Sequence, residues 1–110
     1  MRIATLLAIG LLAGGQALAC DYPTERVDNM PNGTTATMDQ MIEAQGKVRE
    51  YVAAMEAYIE CMDADIDTNR QSYAEEQLRV MLQRRDAAVE EVRQVAEDFN
   101  TQVRLYNQAN

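Results

Sequence analysis

The sequence predicts an all-α fold: a coiled-coil-like, antiparallel two-helix hairpin with an extended N-terminal arm, after a cleaved signal peptide. Three observations predict this fold. Apolar residues recur at three- and four-residue steps through two long stretches with a short polar interval between them. Both prolines of the chain precede the first of these stretches. A short apolar run opens the chain and ends in a small-x-small cleavage pattern before a cysteine.

The first 19 residues are interpreted as the signal peptide. Arg2 gives a charged start, residues 3–13 are apolar, and Ala17-Leu18-Ala19 supplies the cleavage site. The rest of the chain is then exported, so we expect a periplasmic or secreted bacterial protein. No other run approaches the roughly 20 apolar residues that span a bilayer, so no transmembrane segment is expected after cleavage.

The composition argues against several classes of function. Loss of Arg2 with the signal leaves nine basic against 18 acidic residues, a formal net charge of −9. Such a surface repels nucleic acid and anionic lipid, so we expect no nucleic-acid partner. The chain has no histidine, which removes the commonest general base and any Ser-His or Cys-His pair. We therefore expect no enzymatic activity and no cofactor.

Cys20 and Cys61 are the two cysteines of the chain, and in an oxidising compartment we expect them to form one disulfide bond. Acylation of Cys20 is the alternative, because a cysteine directly after a signal peptide can carry the lipid of a bacterial lipoprotein. The usual lipobox has leucine three residues before that cysteine, whereas Ala17 stands there. The disulfide is therefore favoured over a lipid anchor to the envelope.

Residues 20–36 are predicted to form the extended arm, and residues 37–66 the first helix. The arm holds Pro23 and Pro31 and shows no helical period. Thr37-Met38-Asp39-Gln40 is a capping box that marks the start of the helix. The apolar stripe that should form its seam consists of Met41, Val48, Tyr51, Met55, Tyr58 and Met62.

A loop over residues 67–71 and a second helix over residues 72–107 are predicted next. Ser72-Tyr73-Ala74-Glu75 is a candidate capping box for this helix, and Glu90-Glu91 is expected on its solvated face. The seam positions are Leu78, Met81, Val92, Val95, Phe99 and Val103. Two long helices joined by so short a loop must fold back on each other in antiparallel orientation.

Small residues on another side of the first helix predict where the arm lies. The helix rises about 36 Å between Thr37 and Cys61, and the 17 residues from Cys20 to Thr37 reach about 56 Å when extended. The arm is therefore expected to run back along a groove and to place Tyr22 over small side chains. The groove residues are Gly46, Ala53, Ala57 and Ala64.

An acidic run between the helices is a weak candidate for cation binding. Its alternating oxygen-bearing residues, Asp63, Asp65, Asp67 and Asn69, are similar to the start of a calcium-binding EF-hand loop. Thr68 replaces the glycine at the sixth loop position, and Ala74 stands where a bidentate glutamate is needed. A solvated acidic loop is favoured, and no bound metal is expected.

The assembled pattern resembles small secreted bacterial helical proteins to which no activity is assigned. The resembling segments are CDYP at 20–23, PNGTTAT at 31–37 and AYIEC at 57–61. A weaker likeness is to periplasmic helical chaperones of the Spy/CpxP type, whose LTxxQ motif is similar to residues 36–40 except that Ala36 replaces leucine. The first resemblance implies a secreted helical fold, and the second implies chaperone activity.

Together these observations predict a non-enzymatic secreted or periplasmic helical protein that serves as a structural or protein-interaction module. One hairpin buries little core for its length, so a homodimer or a protein partner is expected to cover its apolar flanks. These flanks hold Val52, Ile59, Leu82 and Val89. A Spy/CpxP-like chaperone and a lipid-anchored envelope scaffold are the alternative functions.

Overall fold

The protein's structure, a computed structural model, describes residues 20–110, and the predicted signal peptide over residues 1–19 lies outside this range. Two helices, α1 (Met38–Asn69) and α2 (Glu75–Ala109), pack against each other as a hairpin. The described residues form no strand. The predicted all-α two-helix hairpin is thus confirmed. Residues 20–36 form no helix and are called the arm.

The start of α1 is fixed by the predicted capping box. The Thr37 hydroxyl accepts a 3.2 Å hydrogen bond from the backbone N–H of Gln40, and the Gln40 side-chain oxygen accepts a 2.9 Å bond from the N–H of Thr37. Two amides that the helix itself leaves unpaired are satisfied in this way. The Thr-x-x-Gln spacing at residues 37–40 thus serves helix capping.

The end of α1 lies three residues beyond the predicted Ile66, and the loop covers residues 70–74. The amides of Ser72 and Tyr73 donate to the carbonyl oxygen of Asn69 at 2.8 and 3.2 Å, which closes the last turn. The Tyr73 hydroxyl and the Asn69 side chain both donate to the Asp65 carboxylate at 2.7 Å. These two bonds, one within α1 and one from the loop, hold the acidic segment in a helix that its three aspartates near the C-terminal end do not favour.

The second predicted capping box, at Ser72, is wrong. The residue before α2 is Ala74, which makes no side-chain capping bond. Ser72 lies within the turn that closes α1, so its side chain does not reach the first amides of α2. Glu75 and Glu76 occupy the first turn of α2 instead, where negative charge is favourable against the helix dipole.

The core lies along one stripe of α1. Met55 is fully buried, and its truncation to alanine would cost about 2–5 kcal/mol. The buried residues of this helix recur at three- and four-residue steps and face α2 and the arm. They are Met41, Ala44, Val48, Tyr51, Met55, Tyr58, Met62 and Ile66.

The stripe of α2 is covered less completely. Within Glu75–Ala109, Ala88 is the one buried residue, with 1% of its surface exposed. Its small side chain packs in a cluster with Tyr51, Met55, Tyr58 and Met62 of α1. The six predicted seam residues of α2 are half-buried, namely Leu78, Met81, Val92, Val95, Phe99 and Val103.

An ion pair near the loop fixes the alignment of the two helices. Nε of Arg85 on α2 lies 2.8 Å from one oxygen of Asp63 on α1, and a second guanidinium nitrogen lies 3.4 Å from the other oxygen. Both side chains are half-exposed, so we expect the pair to add at most about 1 kcal/mol of stability. Its main effect is on register.

Neither helix among residues 20–110 combines the length and the apolar character that a membrane span requires.

Candidate functional site

The arm is joined to α1 by the predicted disulfide. Cys20 and Cys61 are bonded, with 5.6 Å between their Cα atoms. Both residues are half-buried, so the bond lies at the surface of the hairpin and not within its core. The arm therefore starts near the loop end of α1 and runs back to the opposite end, where α1 begins at Met38.

A shared carboxylate lies where the arm crosses the seam. The hydroxyl of Tyr51 on α1 donates to Oε1 of Glu91 on α2 at 2.6 Å, and the hydroxyl of Tyr22 in the arm donates to Oε2 of the same residue. The Tyr22 ring also meets the Tyr58 ring edge to face, with 5.3 Å between centroids. Three segments thus converge on one side chain. We call Tyr22, Tyr51 and Glu91 the Tyr–Glu junction.

The titration of these groups follows from their hydrogen bonds and burial. Donation from Tyr22 and Tyr51 lowers the pKa of the Glu91 carboxyl below its ordinary 4.5. The bond to this carboxylate raises the pKa of Tyr22 above 10.0. Burial, followed by the bond to Glu91, raises the pKa of Tyr51 further. At neutral pH the junction consists of two neutral phenols and one carboxylate, which is an arrangement suited to holding the arm.

The other end of the arm is held by a turn that docks on α2. Gly33 is buried, and its amide donates a 2.8 Å bond to the side-chain oxygen of Gln102. A Cβ atom at this position would stand 1.9 Å from the Gln102 carbonyl oxygen and 2.9 Å from the Tyr106 nitrogen. Only glycine allows the two backbones to come so close.

The predicted groove for the arm is corrected by the structure. Its four residues, Gly46, Ala53, Ala57 and Ala64, are all exposed. A Cβ added at Gly46 would meet no atom within 4 Å, so no backbone approaches this residue. The arm instead lies closer to the seam, where Tyr22 reaches Tyr58 and Val27 packs against the core cluster. Aromatic surface offers more apolar contact than alanine methyl groups do, which explains the shift.

Two clefts lie between the arm and α1. One, of about 350 Å³, is bordered by residues 29–36 of the arm and by Gln40, Glu43 and Lys47 of the helix. The other, of about 700 Å³, is bordered by residues 23–29 of the arm and by Lys47, Glu50 and Ala54. Open space therefore lies between parts of the arm and α1, while Val27 packs against the core cluster.

The acidic run does not form the candidate cation site. Asp63, Asp65, Asp67 and Asn69 lie within α1, where residues two apart point to opposite sides of the helix. Asp63 pairs with Arg85, and Asp65 accepts bonds from Asn69 and Tyr73. No group of three or more potential metal ligands converges among residues 20–110.

The apolar flanks expected from the sequence lie opposite the arm. Val52 stands two residues, about 200°, from Ala54, which borders a cleft under the arm. Val89 stands two residues from Glu91, which binds the arm. We call the side formed by Val52, Ile59, Leu82 and Val89 the open face. Val89 is 42% exposed, and the other three are half-buried.

Two residues of the site were missed by reasoning from sequence. Glu91 was assigned to a solvated face, although it is half-buried and accepts two hydrogen bonds. Gln102 received no role, although it fixes Gly33. Each bonds a residue 69 positions earlier in the chain. The one signal in the sequence was that Glu91 lies close to the apolar stripe of α2. Many solvated glutamates lie in such positions, so this signal does not identify a buried one.

Comparisons with family models, with curated proteins and with solved structures found no match for this chain.

Proposed function

We propose that the protein is a non-enzymatic interaction module of an oxidising compartment outside the cytoplasm, and that it associates with a second copy of itself through the open face. The observation that carries this proposal is the one-sided cover of the seam. The arm covers one side, whereas the opposite side leaves Val89 42% exposed beside three half-buried apolar residues. Adjoining apolar side chains of this kind favour association with another surface.

The bond between Cys20 and Cys61 supports a location in an oxidising compartment, because disulfides persist where the surroundings are oxidising. It also favours a disulfide-held arm over a lipid anchor, since the sulfur of Cys20 cannot carry an acylglycerol group while it is bonded to Cys61.

The bonding of the acidic residues nearest the core supports a non-catalytic role. Both oxygens of Glu91 accept tyrosine hydroxyls, and Asp63 and Asp65 are bonded to Arg85 and Tyr73. A general acid or base must instead be free to exchange a proton with a substrate. The chain also has no histidine to take that role.

The charge pattern selects one arrangement of two copies. Residues 37–67 carry eight acidic against two basic residues, a net charge of −6, whereas residues 68–107 carry seven acidic against six, a net charge of −1. A two-fold axis parallel to the helices places α1 of each copy over α2 of the other. The alternative places α1 over α1, and the two negative helices repel each other. Because both copies are negatively charged and the open face offers only four apolar residues, the association should be weak, with a dissociation constant on the order of 10 μM.

Sedimentation of the oxidised protein from about 1 to 300 μM tests this proposal. We expect a monomer–dimer equilibrium that Val89→Asp shifts at least about tenfold toward monomer. Val80→Asp is the matched control, because Val80 is 37% exposed and lies on the opposite side of α2, two and a half turns earlier. A wild-type monomer over the whole range, or equal effects of the two variants, would contradict the proposal.

A further inference from the structure

We propose that the arm is a strap released by reduction of the Cys20–Cys61 disulfide, which frees residues 20–31 and uncovers Tyr51 and Tyr58 while α1 and α2 stay paired. The inference concerns the side of the hairpin opposite the open face. It therefore stands apart from the proposed self-association.

The two ends of the arm are held by different means. At the end of the arm that continues into α1, Gly33 is buried against the backbone of α2 and bonded to Gln102. The amides of Thr35 and Ala36 also donate to the Asn32 carbonyl at 3.1 and 2.8 Å. This turn leads directly into the capping box at Thr37, so it is anchored by α1 itself. None of these bonds depends on the disulfide.

The middle of the arm adds little to its attachment. Thr24, Glu25, Arg26 and Asp28 are exposed, and Val27 is the half-buried residue that packs against the core between them. The cleft of about 700 Å³ lies between this segment and α1, beside Val27. Segments with few buried apolar contacts open at low free-energy cost.

The Cys20 end depends on the disulfide. Besides the S–S bond, the contacts at this end include the packing of Cys20 against the core cluster, the Tyr22 hydroxyl bond to Glu91 and the contact between the rings of Tyr22 and Tyr58. Without the covalent bond, these contacts and Val27 must offset the conformational entropy lost by all the residues from 20 to 31. The disulfide keeps Tyr22 close to Glu91 and Tyr58, whereas after its loss the arm, still attached at Thr37, explores a larger volume and meets these partners at a lower effective concentration.

A dithiol is the reductant that such a release needs. Both cysteines are half-buried, so a thiolate can reach one sulfur and form a mixed disulfide while the other cysteine leaves as a thiolate. The second thiol of the reductant then displaces the bound cysteine. Two electrons and two protons end on Cys20 and Cys61 as thiols, and the reductant leaves as a cyclic disulfide.

The hairpin keeps its own contacts after release. Tyr51 still donates to Glu91, Asp63 still pairs with Arg85, and Ala88 remains in its cluster with Met55. The parts that become exposed are the side of Tyr58 that the Tyr22 ring meets and the side of Tyr51 that borders the cleft under the arm. Reduction would therefore present two aromatic side chains flanked by Glu91.

Backbone NMR relaxation of the oxidised protein, before and after addition of dithiothreitol, tests the strap. We expect order parameters of the amides of residues 21, 22 and 24–30 to fall on reduction to below about 0.6, while amides in α1 and α2 stay near 0.85. The cross-peak between the rings of Tyr22 and Tyr58 should disappear. Cys61→Ser should give the reduced pattern in both conditions, and Ala57→Ser, at an exposed position one turn earlier, should respond like wild type.

Two results would overturn the strap. Arm order parameters that do not change on reduction would show that other contacts hold the arm. Loss of order through both helices as well would show that the disulfide holds the whole fold and that no separate release exists.

Discussion

Tyr51 on α1 donates a 2.6 Å hydrogen bond to Glu91 on α2, and this bond joins the two helices at the place where the arm crosses them. The second carboxylate oxygen accepts from Tyr22, so one side chain connects all three segments of the structure. Loss of Glu91 should therefore weaken the docking of the arm and the pairing of the helices together.

Removal of the Tyr51 hydroxyl tests this connection. Tyr51→Phe should lower the free energy of unfolding by about 1.5 kcal/mol, because a partly buried bond to a charged group is lost while the ring remains. Urea unfolding measures the change. Tyr106→Phe is the control, since the half-buried Tyr106 ring has no hydroxyl bond within residues 20–110, and it should change stability by less than about 0.5 kcal/mol. Equal losses in the two variants would show that the junction does not stabilise the fold.

The lowered pKa of Glu91 predicts a specific dependence on acid. Because the folded-state pKa lies below the unfolded value, the carboxylate stabilises the protein above about pH 4.5 and loses this contribution as the pH falls through the folded pKa. Urea midpoints from pH 3 to 7 should decline on the acid side, and Glu91→Gln should flatten that decline relative to wild type. Parallel acid limbs in the two proteins would contradict the prediction.

The raised pKa values of Tyr22 and Tyr51 predict that stability also falls on the alkaline side of the pH profile. Their neutral forms are favoured in the folded state, so their contribution is complete below about pH 10 and is lost as the pH rises through the raised folded pKa values. The bond from Tyr73 to Asp65 also raises the pKa of Tyr73, so absorbance titration of the phenolates in the folded protein should show three tyrosines that ionise above the normal range. Phe replacement of Tyr22 and Tyr51 should leave Tyr73 alone in this late phase, and an undiminished late phase would rule out the assignment.

The two glycines that the structure describes should respond to alanine in opposite directions. Gly33→Ala places a Cβ against the Gln102 backbone and should destabilise the protein by about 1–3 kcal/mol. Gly46→Ala meets no atom within 4 Å and should stabilise α1 by about 1 kcal/mol. Thermal unfolding of both variants measures the difference. A Gly33→Ala protein with the wild-type midpoint would show that the turn does not dock on α2.

Loss of the disulfide should destabilise the protein without abolishing its helices. The chain-entropy treatment sets an upper value of about 4 kcal/mol for a closed loop of this length. The arm adds few residues to the core, so we expect Cys61→Ser to lower the free energy of unfolding by roughly 2 kcal/mol. Far-UV circular dichroism and non-reducing thermal unfolding check both points. A wild-type midpoint for this variant would contradict the stapled arm.

Local sequence patterns predicted the parts of the fold that depend on one segment. The three- and four-residue steps from Met41 to Ile66 identify the buried stripe of α1, and the capping box at Thr37 identifies its start. The even number of cysteines indicated one bridge. The stripe and the cap follow from helix geometry, and the disulfide follows from the expected oxidising compartment. None of them requires knowledge of contacts between distant residues.

The features that were missed arise from contacts between segments. Asp67 to Asn69 extend α1 with the help of the bond from Tyr73 in the loop to Asp65, which a dipole argument on the helix alone cannot anticipate. The arm was placed on the alanine side of α1 because small residues permit close approach. The structure places it nearer Tyr58, where aromatic contact and the Glu91 bond are available together. The contact of Gly33 with Gln102 is likewise non-local.

Peptide mapping of the purified protein without reductant tests the central claim most directly. Trypsin cleaves after Arg26, Arg49 and Arg70, so a pinned arm predicts that the peptide ending at Arg26 is linked to peptide 50–70, two hydrogen masses below the sum of the two free peptides. Reduction should separate them. Free thiols on both peptides, or an acylated Cys20, would contradict the arm held across the seam.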